Sequence, residues 1–397
     1  MKNILLFSFL LCILGCSTTE EEKPQISQES LKEKLAKLAD EAATVVQSFP
    51  IDSNKIPRSQ DADGSIRTST SYDWTSGFYS GTLWQLYRFS GNEELNKAAM
   101  AWTAFQEKEK LDTHTHDLGF KIYCSFGEAH KTKPTDHYKD VILHASNTLI
   151  ERYNPTVGAI RSWDFNREVW QFPVIIDNMM NLEMLFEATK LSGDSTYHNI
   201  AHQHALTTMN NHFRADHSSY HVIDYDTLSG EIRNRHTHQG ASHESSWARG
   251  QAWGLYGFTM SYRYTGDVQF LDKAKAIAAF FFEHPNFPED GVPYWDFDAP
   301  NIPDAYRDAS AAAIAISGLI ELSKYDVDNA EKYLSWVDTT LNTLNSEEYK
   351  SALEPYILKH SVGSVPGDSE VDVPLVYADY YYVEALLRRL DLEQNRI

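Results

Sequence analysis

The sequence is poor in cysteine. Among its 397 residues only Cys12, Cys16 and Cys124 are cysteines, and the first two lie in an N-terminal segment with the features of a signal. One remaining thiol cannot build a disulfide framework. We therefore predict that Cys124 is a small buried residue without redox or catalytic chemistry.

Positive charge is scarce as well. The chain has 35 Lys and Arg residues against 56 Asp and Glu residues, which gives a formal net charge of −21 at pH 7. Nucleic acid needs a basic face for its phosphates, so we exclude it as a partner. A small anionic fragment could still reach a locally cationic pocket. Because no glycine-rich loop follows a predicted strand, we predict no cofactor.

The apolar run at residues 4–14 is too short to span a bilayer as a helix. It leads into Ile13-Leu14-Gly15-Cys16, which resembles a bacterial lipobox. We predict a lipoprotein signal peptide at residues 1–15 and lipidation of Cys16, so that the lipid anchor is the only membrane contact. The protein is then expected in the bacterial cell envelope, facing the periplasm or on the cell surface.

The rest of the chain has no internal break. Residues 16–30 begin with a polar, acidic stretch and are predicted to be a tether. Beyond them, no Pro/Gly/Ser-rich or low-complexity stretch interrupts the sequence, and we predict a single domain at residues 31–397. The sequence does not indicate an oligomeric state.

Three segments share a pattern that is typical of helical hairpins. A glycine suits the left-handed end of one helix, the next residue, Asn or Asp, caps the following helix, and an alanine seven residues later allows close packing. The three segments are Gly91-Asn92 with Ala99, Gly193-Asp194 with Ala201, and Gly266-Asp267 with Ala274.

Most of the remaining pattern is helical too, for example at Ala309–Leu322. Strand alternation is clearest at residues 221–225, where the turn signal Ser229-Gly230 follows and predicts a short inserted β-hairpin. Successive helical hairpins form either a solenoid or a closed toroid. The irregular spacing of the turns favours a closed ring. So do the acidic residues, because they come from several of the loops that connect the helices and could meet at a central site.

Two acids lie where a soluble protein normally avoids charge. Asp117 and Asp177 both stand among apolar and aromatic neighbours. Burial and a neighbouring charge shift carboxyl pKa values, so one of two nearby acids can hold a proton while the other is ionised. We predict acid–base chemistry at this pair. A structural alternative for Asp177 is an N-cap of the helix that begins near Asn178.

Aromatic residues, 13% of the chain, gather around polar motifs, as sugar-binding surfaces require. Together these motifs resemble the unsaturated glucuronyl hydrolases, glycoside hydrolase family 88, over nearly the whole chain after the tether. The matching motifs, in chain order, are His116-Asp117-Leu118-Gly119-Phe120, Ile176-Asp177-Asn178-Met179-Met180-Asn181-Leu182, His221, Gln239-Gly240, Trp247-Ala248-Arg249-Gly250-Gln251-Ala252-Trp253, and Asp372-Val373-Pro374-Leu375-Val376-Tyr377-Ala378-Asp379-Tyr380-Tyr381.

The resemblance implies an all-α fold, an (α/α)6 barrel with short inserted β-hairpins. It also implies a substrate made by polysaccharide lyases, an oligosaccharide that begins with a 4,5-unsaturated uronic acid. Asp177 would protonate C4 of the vinyl ether and help a water add at C5, and the resulting hemiketal would open. Asp117 would hold the ring and keep the pKa of Asp177 high by its own charge.

The resemblance implies substrate-binding roles for seven further residues. Arg249 would clamp the substrate carboxylate with Gln239, and His116 and His221 would donate to hydroxyl groups. Trp253 would share a helix face with Arg249, and Trp74 and Trp163 would stack on the sugar. The structural alternative for Arg249 is an ion pair with an acid such as Glu244.

We predict no metal site. The pairs His114-x-His116 and His236-x-His238, with His243, are predicted to lie on loops, and a zinc site needs three or four converging ligands. The family's Ser-x-x-Ser-x-Lys motif for sulfated substrates is incomplete, because residues 361–366 end in Pro366 instead of lysine. Lys359 and His360 could supply charge there, and algal ulvan is another sulfated source.

Three other functions fit the sequence less well. A related unsaturated galacturonyl (rhamnogalacturonyl) hydrolase would share the barrel. A sugar epimerase of the same barrel type would use paired histidines for proton transfer instead of paired acids. A non-catalytic glycan-binding surface lipoprotein would explain the anchor and the aromatic residues, but not two acids in apolar surroundings.

Overall fold

The computed structural model describes residues 28–394 as a mostly helical domain. The α-helices are α1 (Gln28–Ser48), α2 (Phe78–Ser90), α3 (Glu93–Ala104), α4 (Glu128–Thr132), α5 (Asp136–Ile150), α6 (Leu182–Ser192), α7 (Ser195–Asn211), α8 (Ala248–Thr265), α9 (Val268–Glu283), α10 (Ala309–Leu322), α11 (Ala330–Leu344) and α12 (Val376–Gln394). A π-helix, Gly119–Gly127, precedes α4, and two 3-10 helices span Glu107–Leu111 and Ile176–Asn181.

The helices form two concentric rings. The inner ring runs from α2 through the π-helix with α4, then α6, α8, α10 and α12, and closes because α12 packs on α2. Helices α1, α3, α5, α7, α9 and α11 form the outer ring, each packed on one or two inner helices. Six inner and six outer helices make an (α/α)6 barrel, so the predicted closed toroid is confirmed.

The three predicted helical hairpins are confirmed in detail. Gly91, Gly193 and Gly266 end their helices in the left-handed conformation, with φ of 69°, 80° and 67°. The following side chains, Asn92, Asp194 and Asp267, each accept a hydrogen bond from a backbone N–H in the first turn of the next helix. The three alanines, Ala99, Ala201 and Ala274, are fully buried where the helices pack.

The predicted β-hairpin is present, but it belongs to a larger sheet. Its strands are β6 (Val222–Tyr225) and β7 (Ile232–His236), and β5 (Pro173–Ile175) adds a third antiparallel strand beside β6. The sequence missed β5 because three residues are too few to show alternation. This strand matters for the site, since it ends just before Asp177.

Three shorter antiparallel pairs complete the strands. They are β1 (Ile56–Gln60) with β2 (Ile66–Ser69), β3 (Tyr153–Asn154) with β4 (Ala159–Ile160), and β8 (Ser361–Ser364) with β9 (Ser369–Val373). The β8–β9 hairpin is held to β1 by Arg58 and Ser59, which both donate to the buried carboxylate of Glu370.

The N-terminal predictions lie mostly outside the described residues. This holds for the signal peptide at residues 1–15 and for Cys16. Helix α1 begins at Gln28, so the fold starts within the predicted tether at residues 16–30. Within residues 28–394, no helix combines the length and the apolar character that crossing a bilayer requires. Cys124 is buried and forms no disulfide.

Candidate active site

A cleft of about 580 Å³ opens at one end of the barrel. Its lining comes from the segments that lead into four inner helical segments, α2, the π-helix, α6 and α8, and from β8. The N-terminal ends of these helices carry partial positive charge, which favours an anionic ligand. The residues that line it are Tyr72, Trp74, His114, Thr115, His116, Asp117, Phe120, Ser162, Trp163, Asp164, Phe165, Ile175, Asp177, His238, Gln239, Arg249 and Ser364.

The segments that carry the two acids are in direct contact. Phe120 donates its backbone N–H to the side-chain oxygen of Asn181, at 3.0 Å. A Cβ atom on Gly119 would stand 2.6 Å from the Cα of Asn181, so only glycine permits this approach. The structure therefore places Asp117 and Asp177, sixty residues apart in the chain, in one cleft.

Asp177 is buried and holds its proton more tightly than an ordinary aspartate. Burial raises its pKa to about 6, while the positive charges of Arg249 and His116 oppose the rise. The charge of Asp117 makes only a small contribution, so the prediction that Asp117 keeps this pKa high was wrong about the main cause. The N-cap alternative was wrong as well, because Ile175 is the N-cap residue and Asp177 lies inside the 3-10 helix.

Asp117 has the opposite tendency. Burial works against its charged form, yet its pKa is lowered, because His116 supplies positive charge and a hydrogen bond and Thr115 donates a second. His116 Nε2 lies 3.1 Å from Oδ1 of Asp117, and the Thr115 hydroxyl lies 2.7 Å from Oδ2. The cleft thus holds one carboxyl group that is partly protonated near neutral pH and one that is ionised.

His221 presents a neutral N–H to the acid Asp177. Its Nδ1 accepts hydrogen bonds from the backbone N–H groups of His238 and Gln239, at 3.0 and 3.2 Å. The ring proton must therefore be on Nε2, which lies 3.7 Å from Oδ2 of Asp177. Burial lowers the pKa of His221 well below its usual value, so the ring is a donor without a charge.

Arg249 is fully buried and already has partners. It lies 3.4 Å from Oδ2 of the equally buried Asp308, and it donates to the carbonyls of Val362 and Gly363 in strand β8. Gln239 donates to the same Gly363 carbonyl, at 3.0 Å. Only Nε of Arg249 has no partner among the described residues.

The proposed surface ion pair of Arg249 with Glu244 was wrong. Glu244 pairs with Arg214, at 3.4 Å, and the partner of Arg249 is Asp308. Sequence reasoning missed Asp308, because this residue resembles an ordinary helix cap and does cap α10. Its pairing with Arg249 spans 59 residues and has no local signal.

The three tryptophans occupy different places. Trp74 and Trp163 line the cleft, as a stacking role requires. Trp253 is fully buried behind it, against Phe120 and Tyr381, with ring centroids 5.3 and 5.4 Å apart. Its indole N–H has no acceptor among the described residues.

Several residues of the cleft were not predicted from the sequence. Most are neighbours of predicted ones, which was the available signal. The main examples are Tyr72, Asp164, Phe165, His238 and Ser364. In the described part of the chain, no group of three or more His, Cys, Asp or Glu side chains could hold a metal ion. His236 and His243 instead contact each other ring to ring, with centroids 4.5 Å apart.

These groups together define acid–base chemistry on a carbohydrate. One acid can give a proton, one carboxylate can hold a hydroxyl or a developing positive charge, neutral histidine can donate, and aromatic faces line the cleft. Fold and site are those of a glycoside hydrolase built on an (α/α)6 barrel.

The chain belongs to Glycosyl Hydrolase Family 88, whose model matches residues 43–382. It is 49% identical over 395 residues to an unsaturated glucuronyl hydrolase of Formosa agariphila, covering 97% of this chain and 98% of that protein. An unsaturated chondroitin disaccharide hydrolase of Streptococcus pyogenes serotype M1 is 32% identical over 341 residues, 84% of each chain. A crystal structure of an unsaturated glucuronyl hydrolase specific for heparin matches with a TM-score of 0.89 at 46% identity, covering 93% of this chain and 99% of that one.

Proposed function

We propose that this protein removes 4,5-unsaturated glucuronic acid from the non-reducing end of oligosaccharides that polysaccharide lyases release. The observation that carries the proposal is the difference between the two acids in one cleft, where Asp177 has a raised pKa and Asp117 a lowered one. The similar Formosa agariphila protein and the similar crystal structure are both unsaturated glucuronyl hydrolases, which supports the same substrate class.

The reaction is the hydration of a vinyl ether. Asp177 gives its proton to C4, and positive charge develops at C5 and the ring oxygen. A water molecule adds at C5, and the carboxylate of Asp177 accepts a proton from it, which restores the acid. The product is a hemiketal that opens and releases the rest of the sugar chain. Bond formation occurs at C4=C5, so the carboxylate spacing of ordinary glycosidases does not apply.

The other residues of the cleft hold the substrate for this step. Ionised Asp117 would bind a ring hydroxyl, and the Nε2 proton of His221 would donate to substrate oxygen beside Asp177. Trp163 and Trp74 would contact the sugar faces. Arg249 would lie near the substrate carboxylate, but Asp308 offsets part of its charge and its Nη1 and Nη2 atoms already bind Asp308 and strand β8, so it would be a weaker clamp than the resemblance implies.

Loss of the unsaturated chromophore tests the proposal directly. Purified protein is mixed with lyase digests of hyaluronan, chondroitin, heparin and ulvan, and ultraviolet absorbance of the conjugated C4=C5 acid is followed. We expect absorbance to fall in at least one digest, because hydration removes the double bond. An unsaturated galacturonyl disaccharide is the comparison substrate. Turnover of that compound alone would replace the proposal by the galacturonyl activity, and binding without any turnover would favour a glycan-binding protein.

The pH dependence of kcat/KM is a second test. The proton on Asp177 is required and its pKa is about 6, so kcat/KM is expected to be level at acidic pH and to fall above about pH 6. The fall should approach about tenfold per pH unit, because the acid form declines in that proportion. A stopped-flow or initial-rate profile between pH 4.5 and about 8.5 measures it. A profile that rises over this range would mean that ionised Asp177 starts the reaction.

The parent polysaccharide and the cell compartment are proposals of the same kind. Relatives are named for heparin and for chondroitin disaccharides, which favours glycosaminoglycan fragments over ulvan. The lipobox-like sequence before Cys16 supports a lipid-anchored protein of the cell envelope, where small lyase products would reach it.

A further inference from the structure

Three arginines share one carboxylate at the edge of the cleft. Asp164 lies 2.9 Å from Arg152, 2.6 Å from Arg161 and 3.1 Å from Arg167, measured between side-chain oxygen and guanidinium nitrogen. Among the described residues, none of the three arginines has another carboxylate within 4 Å. The group therefore carries an excess of two positive charges in a chain whose net charge is −21.

The three arginines have different environments. Arg152 is buried and donates to the carbonyls of Thr113 and Arg161, so it supports the loop. Arg161 is partly exposed, and its buried Nε has no hydrogen-bond partner among the described residues. Arg167 is the accessible one, with 64% of its side chain exposed. Two guanidinium groups thus remain available to an anion from solvent.

The position of the group connects it to the substrate. Asp164 lines the cleft between Trp163 and Phe165, which line it too. The two aromatic rings are stacked, with centroids 4.9 Å apart and planes at 12°, and Phe165 is 47% exposed. Arg161 and Arg167 do not line the cleft themselves, but both contact the carboxylate of Asp164, which does, so they lie one side chain away from a sugar held against this pair.

The β8–β9 hairpin also reaches the cleft. Lys359 and His360, which precede it and could have supplied charge, do not line the cleft, and His360 lies 2.6 Å from the carboxylate of Asp372. Residues 361–373 contain Asp368, Glu370 and Asp372 but no lysine or arginine. Ser364, its residue in the cleft, accepts a hydrogen bond from the backbone N–H of Gly367. The hairpin therefore gives an anionic substituent no lysine or arginine partner, and the arginines around Asp164 are the nearby alternative.

We propose that Arg161 and Arg167 form an anion subsite for a sulfate, or a second carboxylate, on the sugar that follows the unsaturated residue. This proposal rests on the proposed function of the same cleft. Guanidinium groups bind both anions through paired N–H donors. Asp164 opposes the anion, yet its one negative charge faces three guanidinium charges, which leaves the group with a net charge of +2.

The test compares matched substrates in the full-length protein. The quantity is the ratio of kcat/KM for a sulfated unsaturated disaccharide to that for the same disaccharide without sulfate. A third substrate carries a carboxylate, instead of the sulfate, on the sugar that follows the unsaturated residue. In Arg167→Gln we expect this ratio to fall roughly three- to tenfold at low ionic strength, and less in added salt, because Arg167 is exposed and screened. Arg167→Lys should retain most of the ratio.

The matched control is Lys97→Gln. It removes the same charge from an exposed site on outer helix α3. Its ratio of kcat/KM for the sulfated to the unsulfated disaccharide should equal that of the unmodified protein. An unchanged ratio in Arg167→Gln for both the sulfate and the carboxylate substrate would overturn the subsite, as would an equal fall in Lys97→Gln. Whichever anion shows the fall identifies the substituent.

A binding measurement keeps this proposal separate from the proposed function. Calorimetric Kd values for the same disaccharides are taken in Asp177→Asn and in Asp177→Asn combined with Arg167→Gln. We expect the added Arg167 change to raise Kd only for the anion-bearing sugar. If the unmodified protein shows no turnover, and this difference in Kd is nevertheless found, then the proposed reaction is wrong and the subsite stands. If turnover occurs without any difference in Kd, the reaction stands and the subsite is wrong.

Discussion

Asp177→Asn is expected to lower kcat by a factor on the order of 10² to 10⁴, with a much smaller change in KM. The amide cannot give a proton to C4, and the other two acids that line the cleft, Asp117 and Asp164, both have lowered pKa values. The rate of absorbance loss on the best lyase product measures the effect. Near-normal turnover would remove Asp177 from the acid–base role.

The stability of the same variant tests whether its lower rate comes from the lost proton donor or from unfolding. The pKa of Asp177 is about 6 in the fold against 3.8 for an ordinary aspartate, so folding must work against its ionisation as pH rises from about 4 to 6. Below this window the acid is protonated in both states and costs nothing. Above it, Asp177→Asn should be more stable than the natural chain by up to about 3 kcal/mol.

Asp194→Asn is the control for the substitution itself. Asp194 caps α7 through its side chain, and Asn92 performs the same task at α3, so the change should alter neither rate nor stability. A stability of Asp177→Asn that is lower than that of the natural chain at pH 7 would contradict the burial argument.

Asp308→Asn is expected to lower the free energy of unfolding by about 3 to 5 kcal/mol, the usual result when one member of a buried ion pair is removed. Arg249 and Asp308 are both almost completely buried, and Asp308 is the carboxylate that offsets the Arg249 charge. The asparagine side chain can still cap α10, so the loss of stability measures the ion pair of Arg249 with Asp308. Urea unfolding with comparison of midpoints and slopes measures it.

A double-mutant cycle separates the pair from the remaining contacts. Arg249→Gln combined with Asp308→Asn leaves two neutral polar groups, and it should lose clearly less than the sum of the two single changes. Glu94→Gln breaks an exposed ion pair with Lys97 and is the control, for which we expect no measurable change. Additive losses in the buried cycle would mean that the carbonyls of strand β8, and not Asp308, stabilise Arg249.

Local patterns in the sequence were sufficient for the helical hairpins, and they drew attention to Asp117 and Asp177, which the structure places in one cleft. The glycine, cap and alanine at each turn act within a few residues, so their effect does not depend on the rest of the chain. Strand β5 and the Arg249–Asp308 pair are different. The first is too short to show a period, and the second joins residues 59 positions apart, so neither has a signal in its own neighbourhood.

By itself the sequence determined the class of fold and the closed ring of hairpins, and it predicted Asp117 and Asp177 as the acids of one site. It could do so because local turn chemistry and the resemblance to a family both depend only on residue order. The tertiary structure decided what those residues can do. It made burial the main cause of the raised pKa of Asp177, fixed the proton of His221 on Nε2, tied Arg249 to Asp308 and β8, and placed three arginines around Asp164. Proton affinity and charge balance depend on every group within a few ångströms, and only the folded chain sets those distances.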